Sequence, residues 1–332
     1  CRPKTNIVFL KTHKCASSAI LNILFRYGTG RDLNFVLPKT EGACYIGHPT
    51  PFHRRLIDDI TIYNMTFNIL THHTRYNGKE IHKVMPNDTV YVTILRTPCC
   101  QFESLYSYCK LGRIYKRNLS AFVESKNLTL SLARKRVVDD HVGFNQMSFD
   151  LGFRSQLPRS KPQSITNFIH SIDREFDLVM IAERLDESLI LLKHLLCWNT
   201  SDIVTFKINA RYAEYKEELS ADVKKKLSDL NYVDVMLYQY FANVLERKVQ
   251  EFGVDKMAAE VQELQKQRMK YYSMCVEAEQ PSEVASKNYK RKDVIAFKLK
   301  NNSEECRQMT LTERDFDELV TIKQKARKNK LK

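Results

Sequence analysis

Apolar residues along this chain gather into short unbroken runs, each closed by a cluster of polar and basic residues, and the runs alternate with stretches of helical spacing. The first run, Ile7-Val8-Phe9-Leu10, is β-branched and uninterrupted, as a strand buried on both faces would be. A polar turn follows, Lys11-Thr12-His13-Lys14-Cys15-Ala16-Ser17-Ser18, and residues 19–25 then carry the apolar spacing of a helix packed on a sheet. Further strands are expected at residues 67–70, at 89–95, where β-branched and aromatic residues are densest, and at 176–181. A shorter strand is expected at 205–211, running into a loop. Pro98 suits the first turn of a helix reaching Tyr108, and Asp186 suits the N-cap of one ending at Cys197 and Trp198. Residues 220–274 read as almost wholly helical, broken near Gly253. Three prolines mark 31–51 as a loop. Residues 110–170 are basic and polar, with short helices near Ser120 and at 131–136 and a glycine-flanked aromatic stretch at 143–153. From Pro281 the chain is polar, and 311–332 is expected to be a mobile, lysine-rich tail. No internal repeat is visible.

Strands alternating with helices in this order predict an α/β fold with a mainly parallel sheet flanked by helices. Such sheets bind ligands beyond the carboxyl ends of their strands. The chemically able residues fall there: 11–18, 72–75, Arg96 and 207–211. A strand–turn–helix offers backbone N–H groups and a positive helix end to an anion, and Ser17 and Ser18 add hydroxyl donors. This is a phosphate cradle, but not of the Walker type. Lys14 is followed by Cys15 rather than Ser or Thr, and no glycine precedes Gly28, so Ala16, Ser17 and Ser18 must supply the close approach. Arg96, at a strand end, and Ser104, eight residues on, are placed to grip a second phosphate from two sides.

Composition narrows the partners and the compartment. The net charge of +14 over 332 residues points to acidic ligands: a nucleotide, an acidic glycan, nucleic acid or an anionic membrane face. No apolar run is long enough to span a bilayer, and the chain opens on Cys1, which suits a removed leader or anchor. Six Asn-x-Ser/Thr sequons, at Asn64, Asn87, Asn118, Asn127, Asn199 and Asn301, exceed chance and favour the secretory pathway, where the nine cysteines tend to pair.

The cradle, with residues 21–26 behind it, resembles the 5′-phosphosulfate loop of the galactose 3-O-sulfotransferase family. The similarity recurs at 67–69, at His73 and Arg75, at Leu95-Arg96-Thr97-Pro98 with Phe102-Glu103-Ser104, at 143–145 and 149–152, at 186–189, at 195–198 and at 206–211. Cys15 stands where the family usually has threonine. The resemblance, over about 4–310, implies one lumenal catalytic domain (1–310) of P-loop-like sulfotransferase fold. It implies transfer of a sulfuryl group from 3′-phosphoadenosine 5′-phosphosulfate (PAPS) to the 3-hydroxyl of a β-galactose on a glycolipid or glycoprotein glycan, without metal. Lys11, Thr12, Lys14, Cys15, Ala16, Ser17 and Ser18 would hold the 5′ end of the donor, Arg96 and Ser104 the 3′-phosphate, and Lys207, Asn209 and Arg211 would close over it. Lys14 would neutralise the leaving phosphate. His13 is the first choice for the base and His73 the second, with Glu103 behind them. His53, His73, Arg75 and Asn145 are the expected acceptor contacts, with residues 48–53 along the same cleft. The resemblance also implies Cys1–Cys197 and Cys275–Cys306 bridges, Golgi-lumenal residence on an N-terminal anchor, contact with the membrane through the acceptor, no nucleic-acid partner and room for a homodimer. Two other readings stay open: a kinase on a similar loop, and a non-catalytic binder of anionic glycans or lipids.

Overall fold

A computed structural model of the chain describes residues 1–40, 42–153, 161–287 and 289–330. The rest, including 154–160 of the basic stretch and the last two residues of the expected tail, lie outside the described residues.

Four strands form the central sheet: β1 (Ile7–Leu10), β2 (Ile69–Leu70), β3 (Val90–Leu95) and β4 (Leu178–Ile181), in the order β2-β1-β3-β4 and all parallel. Every strand residue is buried, so both faces of the sheet are covered, as continuous apolar runs require. The helices that matter most here are α1 (Ser17–Thr29), α2 (Pro98–Tyr108), α3 (Gln146–Asp150), α4 (Pro162–Glu175), α5 (Leu185–Leu196), α6 (Ala221–Leu230), α7 (Tyr232–Phe252), α8 (Val254–Cys275) and α9 (Glu313–Asn329). A second sheet, the antiparallel pair β5 (Val276–Pro281) and β6 (Ile295–Leu299), follows α8. Disulfides join Cys1 to Cys197 and Cys275 to Cys306, both as the resemblance implied.

Three expectations need correction. Residues 205–211 form no strand. Asn209 takes a left-handed φ of 58°, which interrupts extended backbone, and only Arg211 bridges to Val294, beside β6. Asp186 caps nothing. It lies inside the first turn of α5, where it pairs with Arg268 of α8 at 2.5 Å. The greatest departure is at the carboxyl end, where α9 is a helix docked on α1 and not a mobile tail. Phe316, Val320 and Gln324, four apart, form one buried stripe in an otherwise polar segment. Average polarity concealed that stripe.

Candidate functional site

The carboxyl ends of β1, β2, β3 and β4 open on a cleft of about 870 Å³. Residues 11–16 leave β1 and enter α1 through two non-glycine residues in the left-handed region, Lys14 (φ 61°) and Ala16 (φ 58°). Such backbone is strained for L-residues, and in alternation it turns successive N–H groups towards one point, a concavity suited to an anion. The loop is fastened from below: Thr12 Oγ1 donates to the Ile94 carbonyl, Ser17 Oγ to that of Thr12 (3.0 Å), and Gln101 Nε2 to that of His13 (2.9 Å). The Cys15 side chain turns into the core, where burial pushes its thiol pKa up, so only its backbone is left to serve an anion.

Cations converge on this loop. Arg96 reaches across from β3 and donates through Nη1 to the Lys14 carbonyl at 3.1 Å, so the two proposed phosphate grips share one cleft with Ser104. The Lys14 ammonium lies 3.9 Å from the centre of the Tyr108 ring, and the Arg291 guanidinium 4.8 Å from it. Burial, then the Arg291 charge, lowers the Lys14 pKa to about 8. Lys11 is buried in an ion pair with Glu313, the first residue of α9. Lys207 lines the cleft. Asn209 donates to Ser18 Oγ at 3.2 Å and accepts from the Tyr289 hydroxyl at 3.0 Å, which ties the 207–211 loop to the cradle. Arg211 is paired with Glu103, the third candidate for the base.

His13 is backed by a buried carboxylate that the sequence reading gave no role. Asp150, at the end of α3, accepts from the His13 backbone N–H and from His13 Nδ1, each at 2.8 Å. It also accepts from His48 Nε2 at 3.0 Å and Gln146 Nε2 at 2.9 Å. Burial alone would raise its pKa. The charge and hydrogen bond of His13, and the bond from His48, outweigh burial and hold the pKa well below the usual carboxylate range. An ionised carboxylate only accepts, so His13 carries a proton on Nδ1, and in the neutral ring Nε2 is the acceptor. The same logic puts the His48 proton on Nε2. His48 Nδ1, 2.8 Å from His141 Nδ1, must then accept from His141. Burial, then interaction with His13 and His141 against the pull of Asp150, leaves the His48 pKa at about 4. His73 stacks on His13 at 4.2 Å and its Nδ1 donates to the Lys11 carbonyl at 3.2 Å. Burial, then the Lys11 charge, pushes the His73 pKa well down.

The expected acceptor contacts fare less well. His53 sits on the surface, accepting from the Arg55 backbone N–H at 3.1 Å and lying 3.5 Å from Glu80. Arg75 is spent on the carbonyls of Phe149, Gly152 and Phe153. Asn145 is a buried clamp whose Oδ1 accepts from the first N–H groups of α7, those of Val233 (3.0 Å) and Asp234 (3.2 Å). None of the three lines the cleft; Tyr45 and His73 do. The sequence reading gave no role to Tyr108, Arg291, Glu313 or Asp150. For Asp150 a signal existed, since a carboxylate between Phe149 and Leu151 needs buried donors.

Comparison with known proteins places the chain in a family. The sequence profile of the family described as galactose-3-O-sulfotransferase matches residues 1–313. The chain belongs to that family. Human galactosylceramide sulfotransferase is 37% identical over 283 residues, covering 83% of this chain and 65% of the human protein. Pig galactose-3-O-sulfotransferase 2 is 34% identical (83% and 70%), and human galactose-3-O-sulfotransferase 3 is 32% identical (82% and 64%). The chain thus spans about 65% of the length of the first of these relatives. Among the described residues, no helix is long and apolar enough to cross a membrane.

Proposed function

We propose that this protein transfers the sulfuryl group of PAPS to the 3-hydroxyl of a galactose, on a galactosylceramide-like glycolipid or a glycoprotein glycan. One observation carries the reading: a carboxylate-backed imidazole, His13, sits on the same loop as Lys14, in a cleft that also holds Arg96 and Ser104. In the proposed reaction the galactose oxygen attacks sulfur in line as the bond from sulfur to the 5′-phosphate oxygen breaks. The hydroxyl proton passes to His13 Nε2, and the products are a galactose 3-sulfate ester and 3′-phosphoadenosine 5′-phosphate (PAP). Asp150 stabilises the imidazolium that forms. His73, whose Nδ1 donates to a carbonyl and whose burial disfavours protonation, orients the acceptor instead. Lys14 faces the charge that builds on the leaving phosphate. Arg96 and Ser104 receive the 3′-phosphate.

Golgi-lumenal residence belongs to the same proposal. Two disulfides suit an oxidising compartment, and all six sequon asparagines are exposed to a glycan-adding enzyme. The deciding experiment offers labelled PAPS with galactosylceramide, lactosylceramide or N-acetyllactosamine to the purified chain. Label on any of them supports transfer. Label on none, with stabilisation by ADP and Mg²⁺ rather than PAP, would favour the kinase reading.

A further inference from the structure

The cradle assigned above to the 5′ end of the donor already holds an anion of the chain's own. Lys11, 1% exposed, gives its ammonium to one oxygen of Glu313, and Ser18 Oγ donates to the other at 3.1 Å. Burial opposes the charge on Glu313, yet Lys11 and Ser18 outweigh it and keep the carboxyl pKa below its ordinary value. Glu313 is delivered by a moored element. Phe316 packs on Phe25 of α1 at 5.2 Å between centroids, and Asp317 meets His72 Nε2 at 2.6 Å. Gln324 bonds the Phe35 backbone in both directions, at 2.7 and 3.0 Å. Thr312 caps the helix, with its hydroxyl 2.7 Å from Asp315. The family match ends at residue 313, where this helix begins.

A phosphate arriving at Lys11 and Ser18 meets a carboxylate bonded to the same two donors. Like charges so close in a half-enclosed site repel strongly. We propose that Glu313 is a built-in competitor of the donor: it occupies the Lys11–Ser18 arm of the cradle, and the 5′-phosphate end engages those groups only by displacing it. The inference rests on the reading of the cradle as the donor site. It makes the docking of α9 a control on donor affinity, because whatever loosens that helix frees the arm.

Calorimetric titration of the full chain with PAP tests it. The Glu313→Gln variant, nearly isosteric but uncharged, should bind PAP about 10-fold tighter than the unaltered chain. Glu313→Asp, charged but shorter by one methylene, should fall between the two. Should the Gln variant fail to fold, as its melting curve would show, the Asp variant decides with the same sign. An Arg96→Ala control separates the two layers of the argument. If PAP binds and Arg96→Ala weakens it, while neither Glu313 variant binds more tightly, the competitor idea is overturned and the reading of the cleft as the donor site stands. If PAP binds to no form of the chain, both fall.

Discussion

His13 and His73 lie face to face, 4.2 Å between ring centres, and both keep Nε2 as an acceptor, yet only His13 has a carboxylate behind it. In the proposed reaction, that difference makes His13 the ring to hold the proton. His13→Ala should lower kcat by roughly 10²–10⁴ while PAP affinity stays within about twofold, as single-turnover kinetics and calorimetry would show. Asp150→Asn keeps the shape but lets the His13 proton settle on the wrong nitrogen, so a kcat loss of roughly 10³–10⁴ is expected with little change in KM for the acceptor. In the proposed reaction, Lys14 should set the alkaline limit. Its pKa of about 8 means that the free enzyme loses this charge as pH rises through that value, and kcat/KM for the donor should fall there. Lys14→Arg should lack that fall, because a guanidinium does not titrate in the range. The 11–18 turn and Arg96 were legible as strand-end residues because the apolar runs before them mark the strands. Asp150 was not, because its importance depends on what folding brings against it, and Asn145 misled because a buried amide that caps a helix looks like a sugar ligand in one dimension.

Between elements, the site is a junction of strand ends, and the strands were readable because each is a short run buried on both faces. Segments 205–211 and 313–329 were misread for opposite reasons. The first has β-rich composition but an Asn209 in the left-handed region, and the second has polar composition but a buried residue at every fourth place. In the proposed reading, α2 supplies the element that discriminates between donors. It carries Ser104 into the cleft opposite Arg96 from β3, and together they suit a 3′-phosphate. Arg96→Ala should therefore weaken PAP by roughly 10- to 100-fold and leave adenosine 5′-phosphosulfate, which lacks that phosphate, nearly unaffected. Competition assays with the two nucleotides would measure the difference. Equal losses for both would mean that Arg96 acts only by bracing Lys14 through its carbonyl.

Across the whole molecule, the two disulfides separate stability from donor affinity. Cys1–Cys197 fastens the start of the chain to the carboxyl end of α5, where Lys4 also bonds Leu196 and Trp198. The cleft uses the other end of that 12-residue helix, at Leu185 to Glu187, roughly 18 Å away at 1.5 Å per residue. Cys275–Cys306 instead ties the end of α8 to the helix Glu304–Thr310, which leads directly into Thr312 and Glu313. Closing 196 or 31 residues of chain restricts the unfolded ensemble in either case, so each Cys→Ser pair should cost roughly 2–5 kcal/mol and lower the melting temperature by roughly 5–10 °C. Only the Cys275→Ser/Cys306→Ser pair removes a restraint from the approach to α9, so only that pair should also tighten PAP binding in calorimetry. If both pairs alter PAP affinity alike, the effect is one of general loosening and not of a carboxylate released from the cradle.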